Sequence, residues 1–226
     1  MRAVVVRAGY GEIMPEIFNG NIREAFSVRS GVNMLTTIDA YDGAFSMQNS
    51  FTSQTIRKGA ALKDTLKQIA RDLVEAGKDA VVGGFEGKSG RGTAFFGPTW
   101  KVLGTYTDGK CFMDSRRFFA LEKNEARDCE IPVIGPETGL LGTPRRAEAS
   151  LEVEMIFEPR LVVGQAVKLQ STTAPEFNRT YIVIGIEHRG TISEATAGAP
   201  CVTKASLYFG TAKLKKPGTQ TEIILT

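Results

Sequence analysis

The sequence has few of the residues on which catalytic and metal sites depend. Its 226 residues include one histidine and three cysteines. Cys111, Cys129 and Cys201 are too few and too far apart for a disulfide framework or a zinc ligand set, so we expect reduced thiols packed as small hydrophobic side chains. The 28 basic and 25 acidic residues nearly cancel to a net charge of +3, which argues against sequence-specific nucleic-acid binding.

Long apolar runs are also missing. The run Val4–Val6 near the start is too short for the apolar region of a signal peptide, and no window approaches the length of a membrane span. We therefore expect a chain that is not exported by a signal of its own and that does not insert into a membrane.

The sequence does contain many segments in which apolar and polar residues alternate, the period of a β-strand. Three strands are predicted over Arg2–Ala8, Glu16–Val28 and Asn33–Tyr41, each with one buried and one exposed face. The clearest alternation is in Leu151–Glu158, where every odd position is apolar and three of the four even positions are glutamate. A glycine-rich turn over Glu137–Pro144 precedes it.

The middle of the chain has a different pattern. One helix is predicted between Gly59 and Gly77, and Gly77 is placed to end it. Its apolar stripe consists of Leu62, Leu66, Ile69 and Leu73. Residues 81–92 are rich in glycine and predict an irregular loop or hairpin, and a second hairpin is predicted around Asp114–Arg117.

These patterns predict a mainly β (α+β) protein in three parts. Residues 1–58 and 131–226 form two strand-rich domains, and residues 59–130 form a small inserted α/β module. The clearest strands of the last domain are predicted over Gln165–Gln170, Thr180–His188 and Val202–Phe209.

One motif is close to a phosphate-binding loop. Val82–Ser89 follows the pattern G-x-x-x-x-G-K-S/T, except that Val82 stands where the first glycine belongs. That glycine makes the first tight turn of such a loop, and no helical pattern follows Ser89. A solvated loop is therefore favoured over a nucleotide site.

The lone histidine and the acidic pairs have structural explanations as well as functional ones. His188 has no second histidine or cysteine near it in sequence, which favours a strand-end residue bonded to backbone over a metal ligand or a Ser-His pair. Carboxylate pairs occur at Asp39 and Asp42, at Glu122 and Glu125, and at Glu152 and Glu154. Residue types alone leave a glycosidase-like acid and base open, but the period-two spacing of the last pair favours a solvated strand face.

Two further candidates concern ligands outside catalysis. Phe95, Phe96 and Trp100 are able to stack a sugar or a base, although core packing is favoured. Asn178–Thr180 matches a glycosylation acceptor, which carries little weight without a secretion signal. We therefore predict no catalytic, cofactor or metal site and no enzymatic activity.

Two blocks of sequence resemble the baseplate hub proteins of tailed bacteriophages. Val4–Tyr10 and Ile17–Ile22 are similar to a pair of strands in that family, with the patterns AGY and IFxGxI. Thr138–Pro144, Pro159–Gly164 and Thr180–Gly190 are similar, in order and spacing, to the C-terminal half of the same proteins.

The resemblance implies a fold and a role. Each subunit of such a homotrimer supplies two related, β-barrel-like tube domains, so that three subunits form a pseudo-sixfold ring. The ring joins the hexameric tail tube, or a distal tail protein, to the trimeric central spike and forms part of the DNA-ejection channel. The implied location is the virion tail baseplate, assembled in the host cytoplasm. Glu152, Glu154 and Glu158 are then expected to line the channel as an acidic face.

The chain also departs from that pattern. Val163 stands where a proline is expected before Gly164, and residues 191–200 lack the Asp and Trp that often follow. Relatives carry further strands upstream of the AGY segment, so the first tube domain is expected to be incomplete at its N-terminus. Because an uncovered strand edge leaves backbone groups unpaired, we expect a second, upstream-encoded polypeptide to supply the missing strands.

Two other functions stay open. A cell-wall-binding or lytic tail protein would carry its activity in the inserted module. The equivalent hub of a bacterial contractile injection system would share the fold and differ in its partners.

Overall fold

The computed structural model describes residues 2–75, 79–191 and 201–210, together with the backbone of residues 213–215 and 222–224. Strands account for 48% of the residues and helices for 15%, with a curled half-barrel sheet, so the predicted mainly β fold is confirmed. The chain packs into two compact units. The first is Met1–Arg7 with Glu16–Lys123, and the second is Ala8–Pro15 with Asn124–Thr226.

The first unit begins with the three predicted strands in an antiparallel meander. They are β1 (Ala3–Arg7), β2 (Glu16–Ser30) and β3 (Asn33–Tyr41). β1 pairs only with the first part of β2, from Glu16 to Asn21. Beyond that point β2 and β3 continue alone as a two-stranded ribbon.

The rest of the first unit is the α/β module. Its elements are α1 (Ala44–Asn49), β4 (Phe51–Ile56), α2 (Leu62–Ala70), β5 (Val81–Val82), β6 (Thr93–Pro98), α3 (Thr99–Thr107), β7 (Cys111–Asp114) and β8 (Arg117–Ala120). β4 pairs with β6, and a second small sheet has the order β5-β8-β7. The helices cover a core in which Leu66, Ile69, Leu103 and Phe118 are fully buried.

The predicted helix is present but shorter than expected. α2 buries Leu66 and Ile69 as their spacing predicts, and it ends where the Arg71 N–H bonds the Lys67 carbonyl. The predicted stop at Gly77 lies outside the described residues. The sequence does not predict α3, because its threonines, tryptophan and tyrosine have low helix propensity. Packing of Leu103 into the core compensates for that weakness.

Residues 83–92 form a loop that is not part of a hairpin. β5, just before it, pairs in parallel with β8. The loop is bonded to the start of α2: the Gly59 N–H donates to the Ser89 carbonyl at 2.7 Å, and the Leu62 N–H donates to the Gly87 carbonyl at 3.0 Å. The hairpin predicted further along is confirmed, since β7 and β8 pair antiparallel.

The second unit is built on one six-stranded sheet. Its strands are β9 (Val133–Ile134), β10 (Leu140–Arg146), β11 (Ser150–Ile156), β12 (Ala166–Leu169), β13 (Thr180–Gly190) and β14 (Cys201–Tyr208), in the order β10-β11-β14-β13-β12-β9. β15 (Lys213–Lys215) and β16 (Glu222–Ile224) pair with each other. The alternation predicted for β11 is confirmed, because Leu151, Val153 and Met155 are buried while Glu152 and Glu154 lie on the other face.

The turn predicted over Glu137–Pro144 is largely a strand. β10 begins at Leu140, and its pairing with β11 shifts register between Leu141 and Arg145. Gly142 has a φ of 66°, a conformation that glycine adopts without steric cost. The glycine therefore marks a bulge inside a strand, which the sequence pattern does not distinguish from a turn before it.

The compact units divide the chain differently from the predicted domains 1–58, 59–130 and 131–226. Sequence analysis places β4 in the first domain, yet β4 pairs along its whole length with β6 of the module. Residues 124–130 belong to the second unit, where the Arg127 N–H donates to the Gly164 carbonyl at 2.8 Å. The division into two tube-type domains with an insert stays a prediction.

Candidate assembly surfaces

The ribbon formed by residues 24–38, which we call the arm, is exposed on both faces. Opposite residues of an antiparallel pair share a face, so Phe26, Val28 and Leu35 lie on one face, and Met34 and Ile38 lie on the other. These five residues are between 48% and 66% exposed. The expectation of one buried face per strand is therefore wrong for the arm.

A ribbon of this kind is typical of an interaction surface. A two-stranded hairpin is at most marginally stable alone in water, and contiguous exposed apolar side chains mark interaction surfaces. The outer edge of β2 from Glu24 to Ser30 and the outer edge of β3 have no strand beside them in the part of the chain that the structure describes. In the described residues the arm thus offers open edges as well as apolar faces to a partner.

The base of the arm is fixed to the module by polar contacts. Asp42, just after β3, accepts the Arg116 N–H at 2.8 Å, and the Arg116 guanidinium lies 2.8 Å from the Glu75 carboxylate. The Asn21 amide of β2 also donates to Glu75, at 3.4 Å. Burial raises the pKa of Asp42, although the backbone hydrogen bonds to its carboxylate oppose this. These contacts tie the residues at the base of the arm to the module.

The solvent face of the six-stranded sheet is a second candidate surface. This face contains a concavity with a volume of about 780 Å³. Its glutamates are matched by cations: Glu152 with Arg145 at 2.6 Å, Glu154 with Lys204 at 3.3 Å and Glu187 with Arg189 at 2.6 Å. Exposed pairs of this kind stabilise a fold little, but they leave the face close to neutral.

The expected acidic face is therefore wrong. Glu152 and Glu154 do share a face, but each has a cation beside it. Glu158 lies beyond the end of β11 and pairs with Arg160 at 2.9 Å. Spacing along one strand identifies the glutamates, whereas their partners come from neighbouring strands and from the following loop.

His188 lies in a mixed polar and aromatic cluster near the end of β13. Its Nδ1 is 2.9 Å from Thr203 Oγ1, which also accepts the Glu158 N–H at 2.9 Å. The imidazole packs edge-on against Phe157 with ring centroids 5.2 Å apart, and Phe157 packs edge-on against Tyr10. The histidine thus bonds a side chain rather than the expected backbone group.

We predict that His188 titrates below the ordinary histidine pKa of 6.5, because burial lowers its pKa while the Glu158 carboxylate only partly opposes this. Between the folded pKa and 6.5 the unfolded chain binds the proton more readily, so the free energy of unfolding rises as the pH rises through that window. Since the chain has one histidine, its imidazole Cε1–H resonance in a proton NMR titration measures the pKa directly. Glu158→Gln should lower it further, and a midpoint at or above 6.5 contradicts the prediction.

The segment that is close to a phosphate loop has a different architecture. Val82 ends β5, and the Gly83 N–H donates to the Ala120 carbonyl at 2.8 Å. The element that follows Ser89 is strand β6. A phosphate loop instead leads directly into a helix, whose N-terminal amides bind the phosphate.

The three aromatic candidates divide between core and surface. Phe95 is buried and Trp100 packs against the module core, so core packing is confirmed for these two. Phe96 is 78% exposed, and its ring packs edge-on against Phe51 with centroids 4.8 Å apart. Residues 93–98 form strand β6, and adjacent residues of a strand point to opposite faces. Phe95 therefore points into the core, whereas Phe96 points to the surface.

The carboxylates of the predicted pairs take separate partners. Asp39 pairs with Arg23 across the base of the arm. Glu122 lies 3.8 Å from Lys110, and Glu125 is buried.

The remaining candidates have local structural roles. The Asn178 amide exchanges two hydrogen bonds with the Ser171 backbone, at 2.6 and 3.0 Å. All three cysteines are free, and burial raises the pKa of the Cys111 thiol. Within the described residues, no three His, Cys, Asp or Glu side chains group together as metal ligands. No helix described for the chain has the length and apolar character that a membrane span requires.

A comparison with known protein families shows to which family the chain belongs. Residues 1–192 match the family described as baseplate hub gp41. The chain belongs to this baseplate hub family. The resemblance found in the sequence is thereby confirmed, and the hub family places the chain among phage tail and baseplate proteins. No curated protein matches the sequence significantly.

Two solved structures share the fold of this hub protein. The tail protein from Neisseria meningitidis MC58 has a TM-score of 0.61 at 8% identity, over 85% of this chain and 80% of that one. The E. coli c3393 protein, a type VI secretion component described as similar to the T4 tail proteins gp27 and gp5, has a TM-score of 0.56 at 12% identity. That match covers 84% of this chain and 60% of the E. coli protein.

Proposed function

We propose that the protein is a structural component of the tail hub and that copies join through their arms to form a ring. The arm carries this proposal, because it has apolar residues on both faces and two unpaired edges in a chain of the baseplate hub family. A ring with closed cyclic symmetry needs no cofactor and no chemical step. The proposed role is therefore structural rather than catalytic.

In the proposed assembly, three copies form a homotrimeric ring in the virion tail. One side of the ring contacts the tail tube or a distal tail protein, and the other side contacts the central spike. The opening of the ring is part of the DNA-ejection channel. The charge-balanced face of the second unit suits a channel wall, because it presents no large field of one sign to DNA.

Light scattering after size-exclusion chromatography tests the ring directly. The expected result is a mass three times that of the chain, and electron-microscopy class averages with threefold symmetry. The same measurements are repeated with neighbouring tail proteins added, because the ring can depend on these partners for its assembly. A protein that stays monomeric under both conditions counts against the proposal.

A second candidate function is the equivalent hub of a bacterial contractile injection system. The similarity to the E. coli type VI secretion component favours it. The two candidates share the ring and differ in what the ring contacts. Mass spectrometry of particles that contain the tagged protein separates them, because tail and capsid proteins accompany a phage hub and secretion-apparatus proteins accompany the other.

A further inference from the structure

We propose that a groove in the α/β module binds an acidic segment of a partner protein, one that also carries an aromatic or apolar side chain. The groove lies within the module and uses no residue of the arm. The proposal is therefore independent of the ring and can fail or succeed separately from it.

Four cations lie in or next to this groove: Lys88 and Arg91 line it, and Arg57 and Lys58 follow Ile56, which also lines it. Arg57 and Lys58 directly follow β4, and Lys88 and Arg91 lie in the loop that leads into β6. All four are exposed, and none forms an ion pair with another described residue. Among the described residues that line the groove, Glu86 is the single acidic one. The cluster thus carries uncompensated positive charge.

The backbone holds the two cationic segments side by side. The β4–β6 register ends with Ile56 opposite Thr93. Beyond it, the Gly59 N–H donates to the Ser89 carbonyl at 2.7 Å, and the Ser89 N–H donates to the Ala60 carbonyl at 2.8 Å. Arg57 and Lys58 lie between these contacts on one segment, opposite the loop of Lys88 and Arg91. The cluster is therefore built by the fold, although no part of the sequence contains four adjacent cations.

The groove beside the cluster is lined by polar and charged residues as well as apolar ones. Its volume is about 380 Å³, and its apolar lining consists of Ile56, Leu62, Phe95 and Tyr106. Phe95 and Tyr106 also line a neighbouring concavity of about 370 Å³, together with Phe96 and Pro98. A Cβ added at Gly87 or Gly90 would meet no atom within 4 Å, so the loop leaves space for a bound chain. In the proposed complex, the apolar side chain of the partner contacts the apolar part of this lining, and its carboxylates contact Lys88 and Arg91.

Charge complementarity selects an acidic polypeptide over a nucleic acid. A nucleic-acid strand carries a phosphate at every nucleotide and needs cations along its whole path. Here the cations lie on two short adjoining segments, and the neighbouring concavity has one further cation, Lys101. Protein interfaces combine aromatic and arginine contacts in this way, with charged residues at the rim. Charges at the rim also speed association with an oppositely charged partner.

Fluorescence anisotropy with a fluorescein-labelled hexapeptide of alternating Glu and Phe tests the proposal on the full chain. The wild type is expected to bind it, and peptides with Lys in place of Glu, or Ala in place of Phe, should bind at least about tenfold more weakly. Reversing two cations with Lys88→Glu and Arg91→Glu should weaken binding by a similar factor, about tenfold. The matched control changes two exposed lysines outside the groove, Lys67→Glu and Lys123→Glu, and should leave the affinity within about twofold of the wild type.

Three results would overturn the proposal. The first is that the wild type does not bind the acidic peptide, and the second is that the control variant loses as much affinity as the Lys88 and Arg91 variant. The third is that a single-stranded DNA oligonucleotide binds more tightly than the peptide and that the Lys88 and Arg91 reversals abolish this binding. Circular dichroism checks that the variants fold. Should the reversed variant unfold, the salt dependence of wild-type binding decides, because charge-driven binding weakens as NaCl screens the cluster. Salt-independent binding contradicts the assigned role of the cations.

Discussion

A chain that carries Phe26→Asp and Leu35→Asp is expected to fold normally and to remain monomeric where the wild type forms a ring. The two residues are diagonal neighbours on one face of the arm, 48% and 61% exposed. Replacing them removes no core contact, so the free energy of unfolding should change by no more than about 1 kcal/mol. In an interface, each unpaired carboxylate would be buried at a cost of several kcal/mol. Two of them should weaken association at least about 100-fold.

Light scattering measures this loss, and the chain offers a matched control. Ser53→Asp with Ala94→Asp places the same two charges diagonally across β4 and β6, on a face outside the arm. The control is expected to assemble as the wild type does. A ring that persists in the arm variant would show that the arm is not the joint between copies. Ile38→Asp, on the opposite face of the arm, tests whether both faces are covered in the ring.

Leu207→Ala is expected to lower the free energy of unfolding of the second unit by about 3 kcal/mol. Leu207 is fully buried in β14, opposite Leu151 of β11 and Val183 of β13. Both neighbouring strands hold it in place, so the surrounding core cannot collapse fully into the cavity, and the cost falls within the range measured for large-to-small core substitutions.

Urea unfolding monitored by hydrogen exchange of the β11, β13 and β14 amides measures this cost in the second unit alone. The control is Ser206→Ala, at the preceding position and on the other face of β14, which should change the free energy of unfolding by no more than about 0.5 kcal/mol. A loss below about 1 kcal/mol at Leu207 would mean that the sheet core tolerates a cavity there.

Strands β11 to β14 of the second unit follow closely from the sequence. The alternation in Leu151–Glu158 predicts both the strand and the identity of its buried side chains, because one face of β11 packs on the core and the other is solvated. The same holds for α2, where spacing predicts the burial of Leu66 and Ile69. The spacing of apolar residues predicts which side chains are buried wherever one side of a strand or helix packs against the rest of the same chain.

The arm, the paired glutamates and the cationic groove depend on tertiary structure. Periodicity places Phe26 and Leu35 in strands, but whether a face is covered depends on what packs against it, and no described residue buries either face of the arm. The sequence does contain a signal of an exposed interaction surface in the arm, because apolar residues such as Phe26 and Ile38 lie on both of its faces.

By itself, the sequence determined strands β1–β3, β7, β8 and β11–β14, the main helix, the mainly β fold and the membership of the hub family. Tertiary structure decided that β4 pairs with β6, that Glu154 lies beside Lys204, and that Arg57 and Lys58 lie opposite the loop of Lys88 and Arg91. The physical reason is that side-chain period is a local property of the chain. Cross-strand neighbours, ion pairs and exposed edges instead arise between residues far apart in sequence, and only the packed fold brings those residues together.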